Sequence, residues 1–325
     1  MRFIIYGAGG VGGVIGGHLA RTKHDVVLIG RPGHVKAVNK HGLHLITPTG
    51  THVLHMPAVT EPREIKFVPE DVVFLTMKGQ NTDEALSVLK KEIEDVPIFC
   101  FQNGVRNEET ASRHFARVYG VMVRVGAEYL KDGEVTARRN PPGWLIIGCY
   151  PKGTDKLAEA VVAELRIAGF LTKTTEDVMP YKWGKLMSNL ANAVGAITNA
   201  RGNEVDQLSQ AARKELSDAL AQAGIHWISQ EQVTKEMPET AAPLLGSINS
   251  EGQSSTWQSL AREQGSVETE FLNGEVIRLA KRLGRQAPVN EMLIRISQEM
   301  AAKHERPGKY TPAQLLAQVA QSHSA

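Results

Sequence analysis

Apolar and polar positions recur with two different periods along this chain of 325 residues, and the change of period divides it. Short apolar runs dominate the first half: "RFIIYG", "DVVLIG", "DVVFLTMK" and "VPIFCFQNG". Segments with helical spacing, such as "VGGVIGGHLART" and "TDEALSVLKKEIE", lie between them. Unbroken apolar runs suit strands buried on both faces, and their alternation with helices predicts a doubly wound parallel sheet. Further strands are expected in "VYGVMVRVGAEYL", "EVTARR" and "WLIIGCY", some of them antiparallel. A helix in "TDKLAEAVVAELRIAG" and a last strand in "FLTKTTED" complete this half.

After Asp177 the strand signals fade. "YKWGKLMSNLANAVGAIT", "QAARKELSDALAQAGIHWISQ", "SVETEFLNGEVIRLAKRLG" and "NEMLIRISQEMAAKH" all carry apolar residues at helical period. The expected organisation is α/β: a Rossmann-type domain over residues 1–177 and an all-helical domain over residues 178–325. Pro238 to Gln253 reads as a connection between helices, and the tail "SHSA" as a frayed end.

Composition narrows the function classes. With 42% apolar and 22% charged residues the chain is of ordinary globular type, and a net charge of +2 without basic runs argues against a nucleic-acid partner. No apolar stretch reaches the length of a membrane span, and the opening run is too short for an export signal, so a cytoplasmic protein with no membrane partner is expected. Cys100 and Cys149 close apolar runs and read as reduced, buried thiols, with no metal-ligand spacing around them.

Gly7-x-Gly9-x-x-Gly12 directly follows the first strand and opens the first helix. In that context the glycines allow a tight turn and the close approach of a pyrophosphate; a turn that merely packs helix on sheet is the alternative. An NAD site usually places Asp or Glu after the second strand, whereas this chain has Gly30 and Arg31. A guanidinium there suits a 2′-phosphate, hence NADP(H), or is simply a solvated surface charge. Lys78 with Gln80, and Gln102 with Asn103 and Gly104, end two later strands where such sheets bind ligands. Each pair alone also fits surface or turn chemistry.

The helical half carries a polar stripe. At about 100° per residue Lys185, Asn189 and Asn192 fall within roughly 60° of one another on an otherwise apolar helix. The stripe is an exposed edge, a structurally satisfied polar patch, or a reaction centre whose ammonium polarises a carbonyl and delivers a proton. Glu268 shares a helical face with Phe271, Leu272 and Leu279, which makes it a buried carboxylate or a helix-start charge, while Glu270 and Arg278 face solvent. Ser254, Ser255 and Thr256 either bind a carboxylate or cap a helix.

In "GAGGVG", "GRPGH", "MKGQ", "FQNGV", "KWGKLMSN", "SSTWQ" and "ETEFLNGE", taken in order, the chain resembles the ketopantoate reductases, NADP-dependent 2-dehydropantoate 2-reductases, over essentially its whole length. The resemblance implies reduction of 2-dehydropantoate to pantoate, a step toward pantothenate and coenzyme A. It matches Lys185 to the general acid and Glu268 to the carboxylate that binds the substrate hydroxyl. It matches Arg31 and Lys78 to cofactor contacts and Asn103 to an asparagine near the nicotinamide. Asn189, Ser255 and Asn203 become substrate-side groups. Two departures stand out: Ala193 where the family commonly has a second asparagine, with Asn192 one residue early, and one extra residue between "SSTWQ" and Glu268. Both lie on the substrate side, which leaves open a reductase of another small 2-oxo or 3-hydroxy acid, or a non-catalytic NADP(H)-binding regulator. The apolar "LSDALAQAGIHWIS" offers a face for a homodimer.

Overall fold

The computed structural model describes residues 1–242, 246–248 and 254–322. β1 (Arg2–Tyr6) leads through α1 (Gly10–Arg21) to β2 (Asp25–Ile29) and α2 (Pro32–His41). β3 (Leu43–Thr47) and β4 (Gly50–Leu54) form a hairpin, followed by the short β5 (Ala58–Val59). β6 (Asp71–Leu75), α3 (Thr82–Glu92), β7 (Ile98–Cys100), α4 (Asn107–Ser112) and β8 (Val118–Val125) continue the alternation. β9 (Ala127–Glu128), β10 (Glu134–Ala137), β11 (Gly143–Cys149), α5 (Lys156–Ile167) and β12 (Leu171–Thr174) follow.

Eight strands form one sheet in the order β12-β11-β8-β7-β6-β1-β2-β5. Its neighbours are parallel except β8 and β11, which run antiparallel. Phe3 and Ile5 of β1 pack in one core with Val26, Leu28 and Phe74, while Ile4 packs in another with Val27, Val73 and Ile98. Successive side chains on a strand point to opposite faces, so both faces are covered, and that is why these strands read as unbroken apolar runs. β4, β3, β10 and β9 make a second, four-stranded sheet. The long apolar runs gave no sign of it, because "LHLIT" alternates buried and half-buried residues and β4 is largely exposed.

The helices of the second half are α6 (Met179–Asn189), α7 (Ala191–Thr198), α8 (Asn203–Ala223), α9 (Gln230–Glu236), α10 (Ser255–Ala261), α11 (Asn273–Arg282), α12 (Pro288–Ala302) and α13 (Pro312–Ser322). The chain divides into two compact units, Met1–Lys182 with Gln230–Ser250, and Trp183–Ser229 with Glu251–Ala325. The first unit thus takes back α9 and the segment after it, and the division falls inside α6 rather than after Asp177. Parts of the expected connection (243–245 and 249–253) and of the expected frayed tail (323–325) lie outside the described residues.

Three helical expectations need correction. The apolar helix from Trp183 is interrupted only at Leu190, which keeps helical torsions (φ −58°, ψ −31°) and whose carbonyl is reached by Asn273 Nδ2 at 3.4 Å. The helix of "QAARKELSDALAQAGIHWISQ" ends at Ala223, where Gly224 adopts a left-handed conformation. Its apolar face is no free dimer surface, because Leu216 and Leu220 are fully buried in a unit where α8 packs on α7, α11 and α12. Glu268 precedes a 3₁₀ turn, Thr269–Phe271, and α11 begins only at Asn273, so the helical face drawn through Glu268 does not exist.

His18 of α1 is buried in the first unit, with Nδ1 3.2 Å from the Ala168 carbonyl oxygen and its ring edge-on to Phe170. Burial, and then the charge of Arg21, push its pKa down from 6.5 to about 4. The unfolded chain therefore takes up a proton that the folded chain refuses. The stability this neutral imidazole contributes is complete above about pH 6.5 and is lost as pH falls toward 4, on the order of 3 kcal/mol in all. Urea midpoints of wild type and His18→Gln, taken from about pH 7 to about pH 4, should diverge over that window, the variant falling less steeply. Parallel curves would show that His18 is not the titrating group.

Candidate active site

The glycine turn after β1 separates into two kinds of position. Gly7 has φ +111°, and a Cβ there would meet the Met77 backbone nitrogen at 2.5 Å. At Gly12 a Cβ would come within 2.4 Å of Thr76 Oγ1 and 2.5 Å of the Gly7 carbonyl oxygen. Thr76 Oγ1 donates to that same Gly7 oxygen at 2.9 Å, locking the turn onto the end of β6. Both glycines are demanded by the fold itself. Gly9 is not: its φ is −84°, and a Cβ would find nothing closer than 4.0 Å. The missing side chain leaves open space over the start of α1.

The first turn of α1 holds no acidic residue. Its leading amides have no partner within the helix, and the positive end of the helix dipole is not neutralised, which suits a diphosphate. Strand order brings the other expected cofactor residues into line with it. Arg31 follows β2, the glycine turn follows β1, Lys78 follows β6 and Asn103 follows β7, at the carboxyl ends of four adjacent parallel strands. Arg31 caps α2, is exposed, and has no ion-pair partner among the described residues. Lys78 and Asn103 are half-buried. These residues fit a dinucleotide laid across the strand ends, with a phosphate on its adenosine ribose opposite Arg31.

Asn103 is held by a buried network that the sequence did not disclose. Gln102 Nε2 donates to Thr82 Oγ1 at 2.7 Å, Thr82 Oγ1 to Asn107 Oδ1 at 3.1 Å, and Asn107 Nδ2 to the Asn103 carbonyl oxygen at 2.8 Å. Lys182 Nζ donates to the Gln102 carbonyl oxygen at 3.2 Å and pairs with Glu108, the two side chains being 2% and 0% exposed. Burial raises the Glu108 pKa, and the Lys182 charge opposes that rise. The signal available in sequence was a second lysine in "YKWGK", and periodicity could not say which of the two is buried.

In the second unit, Lys185 is half-buried and Asn189 lies one helical turn later on α6. Residues four apart on a helix share a face. Asn189 is 4% exposed, and its Nδ2 has no hydrogen-bond partner among the described residues. A buried, unsatisfied carboxamide donor is costly and asks for an acceptor from a ligand. Gly184 beside Lys185 allows close packing, since a Cβ would fall 1.8 Å from the Ile228 carbonyl oxygen. Asn192 is half-buried past the break at Leu190, and Ser254 Oγ reaches its carbonyl oxygen at 3.4 Å, bringing the start of α10 beside it.

Of the three hydroxyls there, Ser254 is the helix cap, accepting from the Trp257 amide at 3.2 Å. Ser255 is exposed at the first residue of α10, and Thr256 Oγ1 is buried with no partner among the described residues. Glu268 is buried, and the next residue, Thr269, is anchored by Ser297 Oγ at 3.0 Å. Glu270 is exposed as expected, whereas Arg278 is half-buried on Glu275 at 2.8 Å. Asn203 sits exposed at the first residue of α8, and Asn199 ends α7 in a left-handed conformation, accepting from Trp257 Nε1 at 2.9 Å.

Both units match one family in order. The description "Ketopantoate reductase PanE/ApbA" fits residues 3–152, and its C-terminal counterpart fits residues 177–301. A 2-dehydropantoate 2-reductase of Pyrococcus horikoshii is 33% identical over 301 residues, spanning 90% of this chain and 95% of that one. A PanE/ApbA family ketopantoate reductase from Ralstonia eutropha superposes with a TM-score of 0.78 at 28% identity, covering 94% of this chain and 99% of that one. A D-mandelate dehydrogenase solved with NADH and anilino(oxo)acetate shares the fold, with a TM-score of 0.80 at 19% identity over 94% of this chain and 99% of its own. With its dinucleotide-type strand ends and its helical second half, the chain belongs to the ketopantoate reductase family.

Proposed function

We propose that this protein is an NADP-dependent oxidoreductase that reduces 2-dehydropantoate to pantoate in the cytoplasm, supplying pantothenate and coenzyme A synthesis. The observation that carries this reading is the match of both halves, in order, to one reductase family, with a curated 2-dehydropantoate 2-reductase 33% identical along 90% of the chain. Gly7, Gly9 and Gly12 hold the cofactor diphosphate, Arg31 its 2′-phosphate, and Lys78 and Asn103 the part beyond. When bound, the reduced nicotinamide supplies a hydride to the keto carbon.

The chain's own part is to bind and orient the substrate and to move one proton. Lys185 donates that proton to the keto oxygen as hydride arrives, so that it becomes the product hydroxyl. Asn189 gives its unsatisfied amide donor to a substrate oxygen, which removes the penalty of leaving it buried and unpaired. Glu268 accepts from the substrate hydroxyl, and Asn192, Asn203 and Ser255 complete the polar contacts. A second reading, reduction of a different small 2-oxo acid, draws on Ala193. It stands where the family commonly has an asparagine and is fully buried, with the nearest amide one residue earlier at Asn192.

Three variants test the reading. Gly9→Ala should keep the wild-type thermal midpoint and weaken NADPH binding at least about tenfold by fluorescence titration, because only the ligand needs that space. Equal NADPH affinity would remove the turn from the cofactor site. Arg31→Ala should lose roughly tenfold in affinity for NADPH with NADH binding unchanged. A parallel loss for both cofactors would show that Arg31 does not read the phosphate. Lys185→Ala should lower kcat with 2-dehydropantoate by about 10²–10⁴ while NADPH binds normally. Wild-type turnover would mean that another group gives the proton. Running pyruvate and 2-oxoisovalerate beside 2-dehydropantoate separates the two substrate readings.

A further inference from the structure

After β2 the chain has Gly30 and Arg31, where an NAD site usually places an acid for the ribose hydroxyl. The fold supplies such an acid from elsewhere in the first unit. Asp132 lies in the loop between β9 and β10, and its carboxylate rests on the first turn of α2. A Cβ built on Gly33, two residues past Arg31, would meet Asp132 Oδ2 at 2.3 Å. Gly33 is helical, so what it provides is room for the carboxylate and not an unusual backbone turn.

The carboxylate is held in place. Tyr129 donates its hydroxyl to Asp132 Oδ1. The buried Tyr129 ring stands edge-on to His34 of α2, with ring centres 5.0 Å apart. His34 Nδ1 accepts from the Gly133 amide at 3.0 Å, which ties the same loop to α2. On its other side Tyr129 Cδ1 lies 4.0 Å from where a Gly9 Cβ would sit. Tyr129 thus borders the space over the glycine turn and fixes the acid at the start of α2, the two places proposed for the diphosphate and the adenosine ribose.

Asp132 and Arg31 are both exposed and of opposite charge, yet they do not pair with each other. Asp132 Oδ2 has no hydrogen-bond or ion-pair partner among the described residues. We propose that Asp132 sets cofactor choice: it accepts from the ribose 2′-hydroxyl of NAD(H) and opposes the 2′-phosphate that Arg31 attracts, so that the protein takes both nucleotides. This rests on the cofactor site proposed above. A carboxylate here also answers the positive end of α2, whose first turn holds no acid. That structural role alone would touch both nucleotides alike.

Fluorescence titrations with NADPH and with NADH compare wild type, Asp132→Asn and Gly33→Ala. The asparagine keeps an oxygen for the Tyr129 hydroxyl and puts an N–H where Oδ2 stood. The alanine leaves the acid in the chain but pushes it off α2. Asp132→Asn should bind NADH about tenfold more weakly. It should bind NADPH about fivefold more tightly, a gain that fades as salt is added. Gly33→Ala should shift the preference in the same direction. An equal loss for both nucleotides would overturn the proposal and leave Asp132 a structural charge. Unchanged affinities in Asp132→Asn would overturn it while the cofactor site stands, and so would a wild type that binds NADPH but no measurable NADH. A wild type that binds neither nucleotide would bring down the cofactor reading itself, and this proposal with it.

Discussion

A lysine and a glutamate with almost no exposure, Lys182 and Glu108, form a buried ion pair in the sheet-bearing unit. Both ions give up hydration, and an apolar pair of similar volume would serve stability as well or better, whereas removing one partner alone costs about 3–5 kcal/mol. What the pair supplies is position. Lys182 also donates to the Gln102 carbonyl oxygen, and Glu108 lies on α4 beside Asn107, which holds the Asn103 carbonyl. β7 is only three residues long, too short for its own ladder to fix the turn at its carboxyl end. The ion pair and the Gln102–Thr82–Asn107 chain do that instead, and the turn they fix is the one proposed to meet the nicotinamide.

The glycine turn is built on the same division between what the fold demands and what a ligand demands. Gly7 and Gly12 are fixed by backbone sign and by contact with Thr76 and Met77, so they would be needed in an empty fold. Gly9 answers only to what lies outside the chain. The second unit repeats the pattern in part: the donors of Asn273 and Asn290 are taken up within the Asn273–Asn290–Glu215 network, while the amide nitrogen of Asn189 is left over. Buried donors without partners are rare in folded proteins, and this one stands a single turn from the proposed proton donor.

The Rossmann half was readable because its determinants are local. Each strand is one contiguous apolar run, and Gly7-x-Gly9-x-x-Gly12 lies wholly within one strand-turn-helix unit. The features that escaped reading depend on partners far away in sequence. Lys182 and Glu108 are 74 residues apart, so neither carries a mark of burial on its own. The break at Leu190 coincides with Asn273 reaching its carbonyl from 83 residues downstream. Helical periodicity put Glu268 on the buried side, where it does lie, but for the wrong reason: a 3₁₀ turn intervenes between it and α11.

Ala193 bears on the question of how an acid is held. Its side chain is fully buried on α7, a helix that packs on α10 and α12, so an asparagine there would have to find a buried partner. At position 192 the amide lies beside the capping Ser254 and, at helical period, within roughly 60° of Lys185 and Asn189. A family member that loses one substrate amide in this way must draw affinity from elsewhere or accept a different acid. In the proposed reductase, an amide one residue earlier would meet a bound acid at another angle, which bears on which acid fits and leaves the proposed proton donor in place.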